Sequence, residues 1–191
     1  MLLSKSQKKK DAKSAKKITS FQPQDTKNEF KNYIDKKDFS GAIAMLESRR
    51  RNGDNDEMTT LWIAYCLTHL GNFKKALKEY KQISKKGGGK YATSIEVYKS
   101  VCYFVLGMYD EAKETAEKIK DKCVSDVDLK LVTRVLFHTS HKLDEEDKLF
   151  AYHGQLEDTL ENQLSLASIH YMRTHYQEAI DLYKKLLKDN R

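Results

Sequence analysis

Polar turns followed by an aromatic residue and then an alanine recur along this chain. Leu70-Gly71-Asn72-Phe73-Lys74-Lys75-Ala76, Leu106-Gly107-Met108-Tyr109-Asp110-Glu111-Ala112 and Thr174-His175-Tyr176-Gln177-Glu178-Ala179 share one form, with the alanine three positions after the aromatic. Asp38-Phe39-Ser40-Gly41-Ala42 is a fourth copy, and Lys142-Leu143-Asp144-Glu145-Glu146 a weaker fifth. The anchors Ala42, Ala76, Ala112, Glu146 and Ala179 are 34, 36, 34 and 33 residues apart. A fixed period of this length predicts a stack of helix-turn-helix hairpins, because one hairpin cannot bury its apolar face alone.

Positions around each anchor support that reading. Twelve residues earlier stand Phe30, Ala64, Ser100, Arg134 and Ala167, and four residues later Leu46, Tyr80, Ala116, Phe150 and Tyr183. Small groups at the crossing let two helices approach closely, and the larger ones wedge against the next hairpin. The period and these positions resemble the tetratricopeptide repeat. The predicted fold is an all-α, tetratricopeptide-repeat α-solenoid of about five helix-turn-helix repeats, near 23–56, 57–92, 93–126, 127–159 and 160–191. Asn52-Gly53 and Gly87-Gly88-Gly89 interrupt the first two joins as loop signals. The Gly87–Lys90 string is no phosphate loop, because Ser84 stands where that motif needs its first glycine and Tyr91 where it needs Ser or Thr.

Charge adds an uneven feature. Of the 191 residues, 35 are Lys or Arg and 28 are Asp or Glu, for a net +7. Residues 1–20 alone carry +6, through Lys8, Lys9, Lys10, Lys16, Lys17 and two further lysines against Asp11. The repeats are thus nearly neutral, which excludes a uniformly basic nucleic-acid-binding body. The tail has too few apolar groups to order itself and is expected to be disordered. A single Pro and eight Gly fit long helices. No apolar run approaches the ~20 residues of a membrane span, so no membrane insertion is expected. Neither a signal-peptide core nor a myristoylation glycine opens the chain. Cys66, Cys102 and Cys123 are odd in number and widely spaced, as expected of reduced cytosolic thiols.

Candidate chemistry is sparse. His138, His141 and His153 lack the compact Cys-x-x-Cys or four-ligand spacing of a structural zinc site, so no metal or other cofactor is expected. No nucleophile stands with a base and oxyanion donors, so the chain is expected not to be an enzyme and to take no small-molecule substrate. Binding is the expected role. The concave face should be lined by Met58, Leu61, Tyr65 and Thr68, then Val97, Val101 and Phe104, then Leu164, Ser168, Tyr171 and Met172. Such a groove suits a partner helix or extended peptide. The last helix presents Ile180, Tyr183, Leu186 and Leu187 on one face, with no polar cap after it, and the solenoid is expected to continue in a longer protein. In the fourth repeat Arg134 and Glu146 occupy facing close-contact positions, where an ion pair is expected.

Gln163-Leu164-Ser165-Leu166-Ala167-Ser168-Ile169-His170-Tyr171-Met172-Arg173, continuing through His175-Tyr176-Gln177-Glu178-Ala179-Ile180-Asp181, closely resembles the intraflagellar transport protein 56 (tetratricopeptide repeat protein 26) family. Asp38–Ile43, Leu61–Cys66, Leu106–Tyr109, Leu136–His138 and the basic leader extend the resemblance over nearly the whole chain. It implies the N-terminal part of a non-enzymatic scaffold or adaptor subunit of the intraflagellar transport B complex. Such a subunit would bind neighbouring subunits, notably intraflagellar transport protein 46, and help bring motility-related cargo into cilia or flagella. It would be found at the cilium and basal body, with a cytoplasmic pool. The alternative is a cytosolic co-chaperone or peptide-binding adaptor. Its carboxylate clamp would begin at Lys27 and Lys31, but the Asn expected at the second clamp position is missing. A nucleic-acid adaptor would rest on the tail alone.

Overall fold

The computed structural model describes residues 29–53 and 56–189. The lysines at positions 8, 9, 10, 16 and 17, the expected start of the first repeat and Lys27 lie outside the described residues. Within them the chain forms ten α-helices: α1 Glu29–Asp35, α2 Phe39–Arg51, α3 Glu57–His69, α4 Phe73–Lys85, α5 Ala92–Val105, α6 Tyr109–Lys120, α7 Asp126–Lys142, α8 Glu146–His153, α9 Leu160–Met172 and α10 Tyr176–Asp189. A short 3₁₀ turn, Gly89–Tyr91, leads into α5.

Each hairpin turns in the same way. One residue takes the left-handed conformation: Lys37, Gly71, Gly107, Asp144 or Thr174. The next N–H then reaches back five residues, as in Asn72 N–H to Leu67 O (2.9 Å), Met108 N–H to Tyr103 O (2.9 Å) and Glu145 N–H to Ser140 O (2.8 Å). This is the Schellman ending, which satisfies carbonyls the helix leaves free. Glycine meets the positive φ without cost at 71 and 107, whereas the β-branched Thr174 must be held there by its surroundings at φ 64°. N-caps open several helices: Asp56 accepts from Thr59 N–H at 2.6 Å, and Asp38 accepts from Gly41 N–H at 2.8 Å.

The residue five positions after each left-handed turn is buried against the preceding helix: Ala42, Ala76, Ala112, Leu149 and Ala179. The fourth anchor is therefore Leu149 and not Glu146, a shift of three residues. Helix α7 runs for 17 residues, α8 for eight, and the buried partner twelve positions before Leu149 is Phe137. A leucine replaces the alanine that anchors the other hairpins and meets a phenylalanine, which is why the alanine rhythm fades there.

That shift corrects the expected Arg134–Glu146 pair. The Arg134 guanidinium instead donates to Asn162 Oδ1 at 3.1 Å and lies 3.8 Å from Glu161. Glu146 accepts from Arg173, 2.9 Å away and just past the end of α9. Both charged groups reach forward to the fifth repeat because they sit a turn off the crossing and close to water. Polar links of this kind tie other joins as well: Arg50–Glu79 at 3.0 Å, and Ser94 Oγ donating to the buried Asp128 carboxylate at 2.6 Å.

The core falls into three linked clusters. Phe30, Ile63, Tyr80 and Ile95 belong to the first, Val97, Val132 and Leu136 to the second, and Phe137, Leu149 and Ile169 to the third. No helix among the described residues is long and apolar enough to cross a membrane.

Candidate functional site: the inner groove

The odd-numbered helices line one face of the stack, and its surface changes along the chain. Toward the N-terminal end, α3 and α5 present aromatic rings that are already engaged with one another. Tyr65 meets Trp62 edge-on with centroids 5.5 Å apart, His69 at 4.4 Å and Tyr98 at 6.3 Å. Tyr98 in turn stacks on the buried Tyr80 ring at 5.7 Å, and Trp62 lies 5.3 Å from Phe30. Leu61 is half-buried against this cluster. Thr68 spends its hydroxyl on Ala64 O at 2.9 Å. Met58 borders a hollow beside Gly88, Gly89 and Tyr91 at the end of the repeat, away from these rings.

Farther along, a cavity of about 290 Å³ opens across α5, α7 and α9. Phe104, Leu164, Ile169 and Met172 give it apolar walls, while His138, His141, Lys142, Ser165 and Ser168 supply polar edges. Leu164 and Met172 are exposed, the latter 56 %, as free apolar groups are when nothing covers them. Of the expected groove residues, Phe104, Leu164, Ser168 and Met172 thus meet at one site. Val101 packs half-buried on the second core cluster. Val97 is fully buried in that cluster and cannot touch a partner, which corrects its assignment to the groove. Tyr171 turns toward the end of the stack, its ring 5.7 Å from Tyr176.

His138, His141 and Lys142 are groove residues that the apolar pattern missed. His138 occupies the inner-helix position six before the left-handed turn, the place of Tyr65, Val101 and Ser168 in the other repeats. That register was available in the sequence, but the three-residue offset in the fourth repeat hid it. Burial pushes the His138 imidazole down to about 4, with Arg134, His141 and Lys142 adding positive charge nearby. His141 is lowered for the same leading reason, and then by Lys142 and Arg173. Both rings are neutral at physiological pH, so the Lys142 ammonium is the full charge at the cavity edge. No carboxylate lines the cavity. The acids closest in sequence are engaged elsewhere: Asp144 and Glu146 with Arg173 at 2.8 and 2.9 Å, and Glu161 with Arg134.

The expected open face lies on α10. Ile180, Tyr183 and Leu187 are exposed and Leu186 is half-buried, while Leu182 on the other side packs into the third core cluster. Tyr183 also meets Ser168, with the hydroxyls 3.1 Å apart. Among the described residues no three His, Cys, Asp or Glu side chains converge to hold a metal ion. Cys66 and Cys102 are buried thiols, each pushed up to about 11 by burial, and all three cysteines are free.

Paired helices with repeated turns, close-packed anchors and one continuous inner face define a tetratricopeptide-repeat solenoid. Solved structures agree on the fold. MamA 41-end from Desulfovibrio magneticus RS-1 superposes with a TM-score of 0.69 at 13% identity, covering 85% of this chain and 92% of that one. TTC0263, a thermophilic TPR protein of Thermus thermophilus, gives 0.65 at 19% identity, covering 86% and 91%. The family model described as intraflagellar transport protein 56 matches residues 60–191. The intraflagellar transport protein 56 homolog of Caenorhabditis elegans is 32% identical over 164 residues, which are 84% of this chain. The chain belongs to the intraflagellar transport protein 56 family. It spans 27% of the length of that relative, and 40% of the TPR repeat-containing protein YsoA of Bacillus subtilis (strain 168), to which it is 25% identical.

Proposed function

We propose that this solenoid is a non-enzymatic scaffold segment of the intraflagellar transport B complex. It holds neighbouring subunits, notably intraflagellar transport protein 46, and helps deliver motility-related cargo into cilia or flagella, working at the cilium and basal body and drawn from a cytoplasmic pool. Family membership supports the ciliary setting. The observation that carries the scaffold role is the pair of apolar surfaces left uncovered on a fold whose binding faces are built from its own helices: the α5–α7–α9 cavity and the Ile180–Tyr183–Leu187 face of α10. The two adjoin where Ser168 of the cavity meets Tyr183, with hydroxyls 3.1 Å apart, so together they offer an extended apolar surface to neighbouring subunits.

Residues 8–17 carry the densest positive charge and suit an auxiliary contact with acidic protein surfaces. Co-purification of the tagged chain from ciliated cells, with and without residues 1–20, tests the proposal. Recovery of intraflagellar transport B subunits is expected from both forms. Recovery of heat-shock chaperones in their place would favour the co-chaperone reading.

A further inference from the structure

We infer that the α5–α7–α9 cavity is a docking site for an acidic amphipathic helix of a partner protein, with apolar side chains on Phe104, Leu164 and Met172 and a carboxylate on Lys142. The inference deepens the scaffold reading and rests on it for the partner's existence, while its chemistry comes from the cavity itself.

The walls ask for apolar side chains. Leu164 and Met172 are large, exposed and eight residues apart on α9, a little over two turns, so they lie along one stripe. Phe104 faces them from α5. All three line the same cavity of about 290 Å³, so successive turns of one helix, ~5.4 Å apart, can bring apolar side chains to both walls. A helix with one apolar stripe fills such a trough and keeps its backbone hydrogen bonds internal.

Charge complementarity chooses the polar face of that helix. Lys142 is exposed at the rim and makes no ion pair among the described residues. Lys113 on α6 and Lys148 on α8, by contrast, are answered by Glu145 and, at 3.3 Å, by Glu117. Arg134 and Arg173 already hold the acids nearest the cavity, so a carboxylate entering beside Lys142 meets an unanswered cation and no like charge on the cavity wall. A basic helix would set its ammonium groups against Lys142 and the Arg134 guanidinium, the arrangement that excludes wrong partners.

The test uses the whole purified chain and three fluorescein-labelled helical peptides of about 18 residues, five turns long. All carry the same leucine stripe, and their remaining positions are Glu, Gln or Lys. Fluorescence anisotropy is expected to rank them Glu over Gln over Lys. Lys142→Glu should weaken the Glu peptide about tenfold and improve the Lys peptide. Leu164→Ser should weaken the Glu and Gln peptides alike, with an unchanged circular-dichroism spectrum. Equal affinity for all three peptides, no binding of any, or indifference to Lys142→Glu each overturns the inference. Co-purification separates it from the scaffold reading. Ciliary subunits retained by a chain whose cavity binds no peptide would remove the docking site alone. Peptide binding by a chain that recovers no ciliary subunit would remove the ciliary role alone.

Discussion

The inner face is one surface in topology and two in chemistry. Between α3 and α5 its aromatic rings are interlocked: Tyr65 alone touches Trp62, His69 and Tyr98. Between α5 and α9 Phe104 meets the His138 ring at 6.1 Å, serine and leucine stand beside them, and a cavity appears. Aromatic groups on a solenoid's inner face therefore do not by themselves announce a binding site. Where neighbouring repeats both carry rings, the rings satisfy one another. Where the place of Tyr65 is taken by a smaller group, as at Val101 and Ser168, apolar neighbours such as Leu164 are left without cover. The difference traces to the fourth hairpin, whose Phe137–Leu149 crossing and long α7 set it apart from its alanine-anchored neighbours.

Several measurements would break or sharpen this comparison. The largest effect belongs to the crossing itself. Phe137→Ala empties a fully buried site and should cost about 4 kcal/mol of unfolding free energy in urea titration. A loss below about 1 kcal/mol would mean that the fourth hairpin is not held as described. Tyr65→Ala should cost about 2 kcal/mol, because the ring serves structure more than partners. Loss of partner binding with full stability in that variant would erase the distinction between the two halves.

Acid should strike the C-terminal half. His138 titrates near 4, below the ordinary 6.5, so the unfolded chain takes up the proton first. Its contribution is complete above about pH 6.5 and drains away as the pH falls toward 4. The loss is on the order of 2 kcal/mol, discounted because water reaches part of the ring. His138→Leu should show a correspondingly shallower decline between pH 7 and 4.5 than the parent chain, and an identical decline would deny the buried neutral imidazole. Asp56→Ala, at the start of α3, should cost about 1 kcal/mol through loss of its bond to Thr59 N–H. Leu164→Ser is expected to change stability by less than about 0.5 kcal/mol, and its effect should appear in partner binding instead.

Much of the architecture was legible because it is local. The left-handed turn residue, the polar cap and the small anchor all fall within a dozen positions, and Gly71 and Gly107 mark two turns in plain view. The fourth turn was harder, since Asp144 adopts the same backbone without glycine and a leucine replaces the alanine. Assigning Glu146 as the anchor followed from that substitution, and the Arg134–Glu146 pair fell with it. Groove membership was less legible. Val97 and Leu164 occupy the same inner-helix position, ten before the turn, yet Val97 is sealed by α7 and Leu164 stands open.

What the sequence by itself determined is the repeat: its period, its helix pairs and its family, because turn chemistry and close helix crossings impose residue types at fixed spacings. Tertiary structure alone decided which side chains remain available. Exposure on a solenoid depends on what the next repeat places opposite, and ion-pair partners such as Arg173 for Glu146 come from 27 residues away. No spacing within one hairpin encodes that choice, which is made only when neighbouring hairpins meet.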